Sequence, residues 1–190
     1  MSARTGGGPD VLFAFLRAVN LGRRNKVPMS RLMDALEENA FPEAKYLLAS
    51  GNVVFLEAAP EPENLRVRLV ELIAAEFGVR TAVVLRTPED LRDHLASDPF
   101  TASGMAPVYV SMWDGKPDSE GLKSLEREDF SPDRLHLVDG AAIMGYVAGS
   151  HDSKLLNGLI EKRLKVQATA RNVNTLRRLL ERFAPWAMAS

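Results

Sequence analysis

The sequence predicts an α+β protein in which an antiparallel α/β plait occurs twice in tandem. The first observation is an order of elements from Val11 to about Ala96: strand, helix, strand, tight turn, strand, helix, strand and a closing helix. The second is that the same order recurs from about Pro107 to Phe183. A β-α-β-β-α-β order with short connections favours a four-stranded antiparallel sheet with two helices on one face.

The first half of the first unit is a strand, a helix and a hairpin. Val11 to Leu16 is an apolar, aromatic run typical of a strand. A polar loop follows, and Pro28 suits the first turn of a helix. The apolar stripe of that helix consists of Met29, Leu32, Met33 and Leu36. Strands over Lys45 to Ala49 and Val53 to Leu56 flank a turn in which Gly51 supplies a positive φ.

The second half of the unit is a helix, a strand and a closing helix. The first helix is marked by the apolar stripe Leu65, Leu69, Leu72 and Ile73. Gly78 ends that helix, and a strand follows over Val79 to Leu85. Thr87 is predicted to cap the closing helix, with Pro88 at its first position and Asp90 at its third.

The second unit repeats this order with weaker patterns. A strand over Val108 to Trp113 precedes a short helix that carries Leu122 and Leu125. A hairpin joins Leu135 to Val138 with Ala142 to Val147. The next helix has the apolar stripe Leu155, Leu156, Leu159, Ile160 and Leu164. The last helix is capped by Asn172 or Asn174 and carries Leu176, Leu179, Leu180 and Phe183.

These patterns predict a division of the chain into two ferredoxin-like plait units with short flanking segments. The predicted bounds are a flexible tail at 1–10, the first unit at 11–97, a linker at 98–106, the second unit at 107–184 and a tail at 185–190.

The first strand predicts that both faces of the first sheet are covered. Leu12, Ala14 and Leu16 alternate with Phe13 and Phe15, so both sides of the strand are apolar. An antiparallel sheet with one wet face would alternate apolar with polar residues. We therefore expect Phe13, Phe15 and Phe55 to be buried under the other unit or under a second subunit, which keeps a homo-oligomer open.

The composition of the 190 residues excludes several classes of protein. There is no cysteine, so disulfides, thiolate catalysis and thiolate metal sites are excluded, in keeping with a reducing cytoplasm. No run approaches the roughly 18 apolar residues of a membrane helix. The net charge is −1, but residues 11–30 carry four bases and no acid. This asymmetry indicates an anionic ligand, attraction between parts of the chain, or solvated faces of ordinary elements.

The plait topology brings two polar segments to one rim of the first sheet. The loop after strand one and the turn between strands two and three lie at the same end. The candidate ligand-binding residues there are Arg17, Asn20, Arg23, Arg24, Asn25, Lys26, Ser50, Gly51 and Asn52. Cations beside amide and hydroxyl donors, at a helix N-terminus, suit a small anion such as a phosphate or carboxylate. The alternative is that the asparagines satisfy the loop backbone and that the cations are solvated.

A second polar cluster precedes the last helix, and its candidate residues are Arg171, Asn172, Asn174 and Thr175. Capping of the helix alone would explain the asparagines and the threonine.

His94, His136 and His151 lack metal-ligand spacing, so no metal is predicted. No phosphate loop, dinucleotide fingerprint or nucleophile elbow occurs, so no cofactor is predicted. His151-Asp152-Ser153 looks like a triad, but Asp152 or Ser153 is expected to cap the next helix.

At these clusters the chain resembles a family of bacterial proteins known as domain of unknown function 1697. The family's LLRGINVGG and NK segments correspond to Phe15 to Gly22 and Asn25 to Met29. Its QSGNVVF hairpin corresponds to Ala49 to Phe55. Its C-terminal pattern SKL…IEK.L…ATTRNWNT corresponds to Ser153 to Leu155, Ile160 to Lys162 and Ala168 to Thr175.

The resemblance implies a two-plait fold and no known reaction. It also shows departures, since Ala18 and Arg23 stand where the family often has glycine and Val173 where it often has tryptophan. These departures weaken the prediction of a glycine loop that binds phosphate, although Arg23 adds a cation.

Four functions stay open from the sequence. The first is a binding module for a small anionic ligand at the rim of the first plait. The second is a structural or dimerising interaction protein, and the third an enzyme with an unfamiliar metal-free site. The fourth is nucleic-acid binding, because the order of elements is shared with the RNA-recognition motif. Nucleic acid is not favoured, because Ala49 to Phe55 lacks the basic-aromatic pattern of that motif and the net charge is not basic.

Overall fold

The computed structural model describes residues 11–22, 24–56 and 61–185. The tail predicted at 1–10, Arg23 and residues 186–190 lie outside the described residues. The elements of the first unit are β1 (Leu12–Leu16), α1 (Met29–Glu38), β2 (Ala44–Tyr46), β3 (Asn52–Phe55), α2 (Pro62–Phe77), β4 (Val83–Arg86) and α3 (Pro88–Ala96). Those of the second are β5 (Val108–Trp113), α4 (Ser119–Arg127), β6 (Arg134–Val138), β7 (Ala141–Gly145), α5 (Asn157–Leu164), β8 (Ala168–Asn172) and α6 (Val173–Phe183).

The two sheets have the same topology. The strand orders are β2-β3-β1-β4 and β6-β7-β5-β8, and every neighbouring pair is antiparallel. In each sheet the first and third strands of the unit lie in the centre, and the second and fourth lie at the edges. The duplicated plait predicted from the sequence is confirmed.

Each sheet buries its helix-facing side against two helices. One core cluster joins β1, β3 and β4 with α1 and α2, and includes Ala14, Leu16, Val53, Leu32 and Leu69. A separate cluster joins β5, β7 and β8 with α4 and α5. The apolar stripes of α1 and α2 predicted from the 3.6-residue period are buried as expected, except for the half-buried Met33.

A third core cluster contains residues of both units. Phe13, Phe15 and Val54 from the first sheet share it with Val110 and Ile143 from the second, and α3 and α6 contribute to it as well. The second unit therefore covers the face that the sequence predicted to be covered. Phe13, Phe15 and Phe55 are all fully buried, as predicted. Phe55 faces the helices of its own unit, however, and stacks on Phe41 at 6.3 Å.

Local chemistry explains how several elements begin and end. Gly51 has a φ of +79°, and a Cβ there would lie 2.5 Å from the Val19 side chain, so only glycine fits this turn. Gly78 caps α2 with a φ of +64°. The Thr87 side chain accepts a hydrogen bond from the backbone N–H of Asp90, and the Asp90 side chain accepts one from the backbone N–H of Thr87.

The structure corrects some of the predicted bounds. Pro28 is the N-cap residue of α1 and lies just outside the helix. β2 ends at Tyr46, because Leu48 has a φ of +63° that a strand cannot contain. α5 begins at Asn157, so Leu155 and Leu156 precede it, and neither Asp152 nor Ser153 caps it. Ser153 instead accepts a hydrogen bond from the backbone N–H of Leu155.

Strand pairing puts residues of the two units in equivalent positions. Leu16 at the end of β1 donates its N–H to the Gly51 carbonyl, and Trp113 at the end of β5 donates its N–H to the Gly140 carbonyl. Leu16 pairs with Val83, and Trp113 pairs with Ala168. Three residues further along these partner strands are Arg86 and Arg171. The two arginines are therefore counterparts, each near the end of the strand that precedes a closing helix.

Candidate functional site

Two asparagines hold the loop between β1 and α1 in a fixed shape. The Asn20 side chain accepts from the Val27 N–H at 2.9 Å and donates to the Val27 and Ala49 carbonyls at 2.8 and 2.7 Å. The Asn25 side chain donates to the Ala18 carbonyl at 3.1 Å. Ala18, Asn20 and Asn25 have φ values of 53°, 56° and 51°. These bonds stabilise a backbone that is strained at Ala18 in particular, where the related family often has glycine.

The cations of the same loop point to solvent. Arg24 and Lys26 are exposed, and neither lies within ion-pair distance of a carboxylate in the described residues. α1 begins directly after this loop without a side-chain cap and without an acidic residue in its first turn. The loop therefore keeps positive charge at the helix N-terminus.

Asn52 is a fully buried residue of the hairpin that follows. Its amide group donates to the Leu47 carbonyl at 2.7 Å and to the Ser50 hydroxyl at 3.1 Å. Its oxygen accepts from Arg171 Nε at 2.5 Å. All of its polar atoms are thus engaged inside the protein.

Arg171 crosses from β8 of the second unit to the rim of the first. Its Nη2 donates to the carbonyls of Leu16 at 2.8 Å, Ser50 at 3.0 Å and Gly51 at 3.2 Å. Its Nη1 donates to the Thr169 hydroxyl at 2.7 Å and the Ala170 carbonyl at 2.9 Å. The guanidinium also lies 5.4 Å from the centre of the Phe15 ring. Burial lowers the pKa of Arg171 to about 10, so the group stays charged at neutral pH.

Arg17 forms a second link between the units. It donates from Nε and Nη2 to the two carboxylate oxygens of Glu161 on α5, at 2.5 and 2.7 Å. The same carboxylate accepts from the Ala168 N–H at 2.8 Å. The hydrogen bond and the charge of Glu161 raise the pKa of Arg17. For Glu161, burial acts to raise the pKa, but the bonds from Arg17 and Ala168 outweigh it and the pKa is lowered.

The remaining candidates belong to the start of α6. The Asn172 side chain caps this helix by accepting from the Asn174 N–H at 2.9 Å. Asn174 is exposed and accepts from Arg177 at 3.2 Å, and Thr175 is half-buried. The capping alternative therefore describes Asn172, whereas Arg171 has a different role and sits in a strand that the sequence patterns did not locate.

The structure brings only part of the predicted set together. Ser50, Gly51, Asn52 and Arg171 meet between the two units, and Arg17 binds Glu161 of the second unit directly after Leu16, whose carbonyl Arg171 binds. We call these five residues the rim joint. Asn20 and Asn25 serve the loop itself, and Arg24 and Lys26 face solvent. Asn172, Asn174 and Thr175 lie beyond Arg171 along the chain. Arg23 lies outside the described residues.

A matching joint in the other half has no motif of its own. Arg86 Nη2 donates to the carbonyls of Trp113 at 2.7 Å and Gly140 at 2.9 Å, and Nη1 donates to Asp114 at 2.7 Å. The sequence patterns did not predict these contacts of Arg86, and they did not predict that Glu161 binds Arg17. The signal was there, because Arg86 precedes Thr87-Pro88 just as Arg171 precedes Asn172-Val173, and each pair begins a helix. Aligning the two halves residue by residue would have found it.

The described residues are not arranged for metal binding, and their helices are not of the membrane-spanning kind. No group of three or more His, Cys, Asp or Glu side chains in residues 11–22, 24–56 and 61–185 is arranged to hold a metal ion. Over the same residues, no helix is both long and apolar enough to cross a membrane.

The family is settled by a match over residues 10–142 to a model described as "Protein of unknown function (DUF1697)". The chain belongs to the DUF1697 family. The match includes the β1 loop and the hairpin, whereas Glu161 and Arg171 lie C-terminal to it. The loop, hairpin and C-terminal segments that resemble this family are far apart in the sequence, and in the structure they meet at the rim joint.

A solved structure has the same fold. The conserved bacterial protein SP0830 from Streptococcus pneumoniae superposes with a TM-score of 0.70 and 19% identity, over 90% of this chain and 97% of that one. At this identity the likeness shows the fold alone. No curated protein matches the sequence significantly.

Proposed function

We propose that this DUF1697 protein is an interaction scaffold, in which the motif residues join the two plaits and another macromolecule binds elsewhere on the surface. The observation that carries the proposal is the state of Asn52 and Arg171. Both are buried, and their donors and acceptors bind one another or nearby backbone groups. A side chain that recognises a diffusible ligand needs solvent access and an unpaired polar group, and these two have neither.

A paired measurement on Asn52 and Arg17 tests this proposal. Asn52→Ala is expected to lower the free energy of unfolding by about 1–3 kcal/mol, because it leaves buried partners without hydrogen bonds. Asn39 donates to the Ala35 carbonyl at the exposed end of α1, so Asn39→Ala is the matched control and should change stability little. Arg17→Ala should also lose stability, by removing the bond to Glu161.

The addition of anions tests for the result that would contradict the scaffold proposal. Inorganic phosphate and a nucleoside triphosphate are added to the parent protein while its melting temperature is followed. The scaffold proposal requires that no such shift depends on the rim joint, so any shift should be the same in Arg17→Ala as in the parent protein. A shift that disappears in Arg17→Ala, in a variant whose own stability is unchanged, would make the rim an anion site and overturn it.

A second function is favoured by the loop between β1 and α1. Its strained backbone is held by two asparagines, and it presents Arg24 and Lys26 to solvent beside an uncapped helix N-terminus. This arrangement supports the binding of a small anion at the loop tip, outside the rim joint. The probe is titration of phosphate into an Arg24→Ala/Lys26→Ala double variant, with Arg127→Ala on α4 as the control for loss of an exposed charge. Affinity that is equal in all three proteins would eliminate this function.

A further inference from the structure

A groove of about 910 Å³ runs along the free edge of the first sheet. Its floor is the edge strand β2 and the residues beside it. One wall comes from α1 and the segment after it, with Met33, Leu36 and Phe41, and the other from α6, with Arg178 and Arg182. Tyr46 and Leu48 line this groove and are two of the six large apolar side chains that the described residues expose. The groove therefore combines exposed apolar surface with cations.

The backbone of β2 is free to pair along this groove. The Leu47 N–H bonds to the Asn52 carbonyl, and the Glu43 carbonyl accepts from Leu56, so these groups point toward β3. Because inward and outward groups alternate along an antiparallel strand, the N–H and C=O groups of Ala44 and Tyr46 point outward. In the described part of the chain, no strand pairs with this edge. An added strand would therefore pair with the outward N–H and C=O groups of these two residues.

The two sides of the groove differ in chemistry. Ala44 and Tyr46 pair with Phe55 and Val53, so their side chains lie on the same face as α1. On that face the groove is lined mainly by apolar side chains, and Glu37 is the one acidic residue that α1 contributes to it. Lys45 pairs with Val54, which packs in the shared core with α6, and so lies on the face of Arg178 and Arg182. Lys45 is neutralised by Glu43 at 3.0 Å. Arg178 and Arg182 have no such carboxylate within the described residues and leave two positive charges on this side.

A second copy of the chain does not suit this edge. Two β2 strands pairing antiparallel are related by a two-fold axis perpendicular to the sheet, which keeps equivalent faces on the same side. The Arg178 and Arg182 side chains of both copies would then face each other. Like charges brought together at an interface oppose association.

We propose that this groove binds an extended segment of a partner protein that adds to β2 as a strand, with apolar side chains toward α1 alternating with carboxylates toward α6. The period of two in a strand places alternate side chains on opposite faces, which matches the apolar and cationic walls. The inference rests on the proposed scaffold function and names its binding surface and its kind of partner.

The test uses the full chain and a short labelled peptide of alternating valine and glutamate, with binding followed by fluorescence anisotropy. Arg178→Glu/Arg182→Glu should weaken binding by about tenfold or more, the size expected when paired charges are replaced by like charges. Arg177→Glu, on the same helix but outside the groove, is the matched control and should change affinity less than about twofold. Tyr46→Pro should also abolish binding, because it removes an outward N–H while leaving the pairing with β3 intact.

Changes in the peptide separate strand addition from simple charge attraction. A peptide of the same composition with its order scrambled, and one N-methylated along the edge that faces β2, should both fail to bind. Equal binding of the scrambled peptide, or unchanged binding by the Arg178→Glu/Arg182→Glu variant, would overturn the inference. So would a concentration-dependent dimer that Tyr46→Pro abolishes, since the occupant would then be a second copy. None of these outcomes alters the stability of Asn52→Ala, so failure here is distinguishable from failure of the scaffold proposal.

Discussion

Arg86 and Arg171 occupy equivalent positions in the two units but differ in how their charge is balanced. Each reaches across to the other unit and binds one carbonyl at the end of the central strand, together with one carbonyl of the hairpin turn for Arg86 and two for Arg171. Arg86 also binds the carboxylate of Asp114, which is 30% exposed. Arg171 instead binds the neutral amide of the buried Asn52.

The comparison of Arg86 with Arg171 separates two contributions to stability that often occur together: the hydrogen bonds of a guanidinium and its ion pair with a carboxylate. The planar fork of a guanidinium binds several carbonyls at once, and both units use it for that purpose. The counter-charge is present in only one unit, so it is not what defines the joint. Where it is missing, burial lowers the pKa of the arginine, and stability depends on the number of hydrogen bonds that the buried group makes.

The largest effect is expected for Arg171→Met. The substitution leaves the carbonyls of Leu16 and Ser50 and the side-chain oxygen of Asn52 without the donor that Arg171 supplies, whereas the Gly51 carbonyl keeps the N–H of Leu16. We expect a loss of about 3–5 kcal/mol in the free energy of unfolding, because each buried group left unpaired costs about 1–3 kcal/mol. Urea denaturation measures it. A loss below about 1 kcal/mol would mean that relief from burying the charge offsets the lost bonds, as replacement of buried ions sometimes does.

Arg86→Met is expected to cost less, about 1.5–3 kcal/mol. Asp114 is partly exposed, so water can solvate its carboxylate once the arginine is gone. Arg127→Met, at an exposed position of α4, controls for loss of a surface charge. If Arg86→Met lowered the free energy of unfolding more than Arg171→Met, the counter-charge of Asp114 would be the dominant contribution. The conclusion that hydrogen bonds to carbonyls define the joint would then be wrong.

The link between Arg17 and Glu161 should contribute a smaller energy. Arg17 is 38% exposed, so a double-mutant cycle with Arg17→Ala and Glu161→Ala should give a coupling of about 0.5–1 kcal/mol. The equivalent pair, Arg66 and Asp114, lies 3.8 Å apart and should couple more weakly. Because the folded-state pKa of Glu161 is lowered, its contribution is present above the ordinary pKa of 4.5 and is lost as the pH falls through the folded value. Coupling that persisted in strong acid would contradict an ionic origin.

The smallest expected effect is a change in pH dependence for His94→Leu. Burial and the nearby charge of Arg86 lower the pKa of His94, against Asp90, Asp93 and Asp139, which raise it. Its Nε2 atom is buried and has no hydrogen-bond partner in the described residues. The unfolded chain therefore binds a proton more readily, and stability declines as the pH falls below about 6.5.

Leu179 stands at the same distance from the start of α6 as His94 from the start of α3, so His94→Leu makes the two helices alike. The variant should show a flatter pH dependence of the melting temperature below that pH. His136→Leu, on the edge strand β6, is the control. An unchanged slope would show that His94 does not titrate on unfolding.

Some of these features were readable from the sequence because they depend on local pattern. The order of elements along the first unit, the buried faces of α1 and α2, the αL glycines and the Thr87 cap follow from periodicity and turn chemistry, which a single segment carries. The roles of Asn52 and Arg171 depend on a contact across the whole chain. A polar residue beside a helix start looks like a cap, and only packing of the two sheets reveals that Arg171 points away from its helix.

The residues that follow β1 and β5 carry charges of opposite sign, and this restricts which units can pair with each other. The residue after β1 is Arg17 and meets Glu161, whereas the residue after β5 is Asp114 and meets Arg66. A pair made of two first halves would set Arg17 against Arg66, and a pair of two second halves would set Asp114 against Glu161. Both self-pairings bring like charges together, and only the mixed pairing is attractive. Although the plait is repeated, the repeats are therefore not interchangeable at this contact, and the charges favour the pairing of a first unit with a second one.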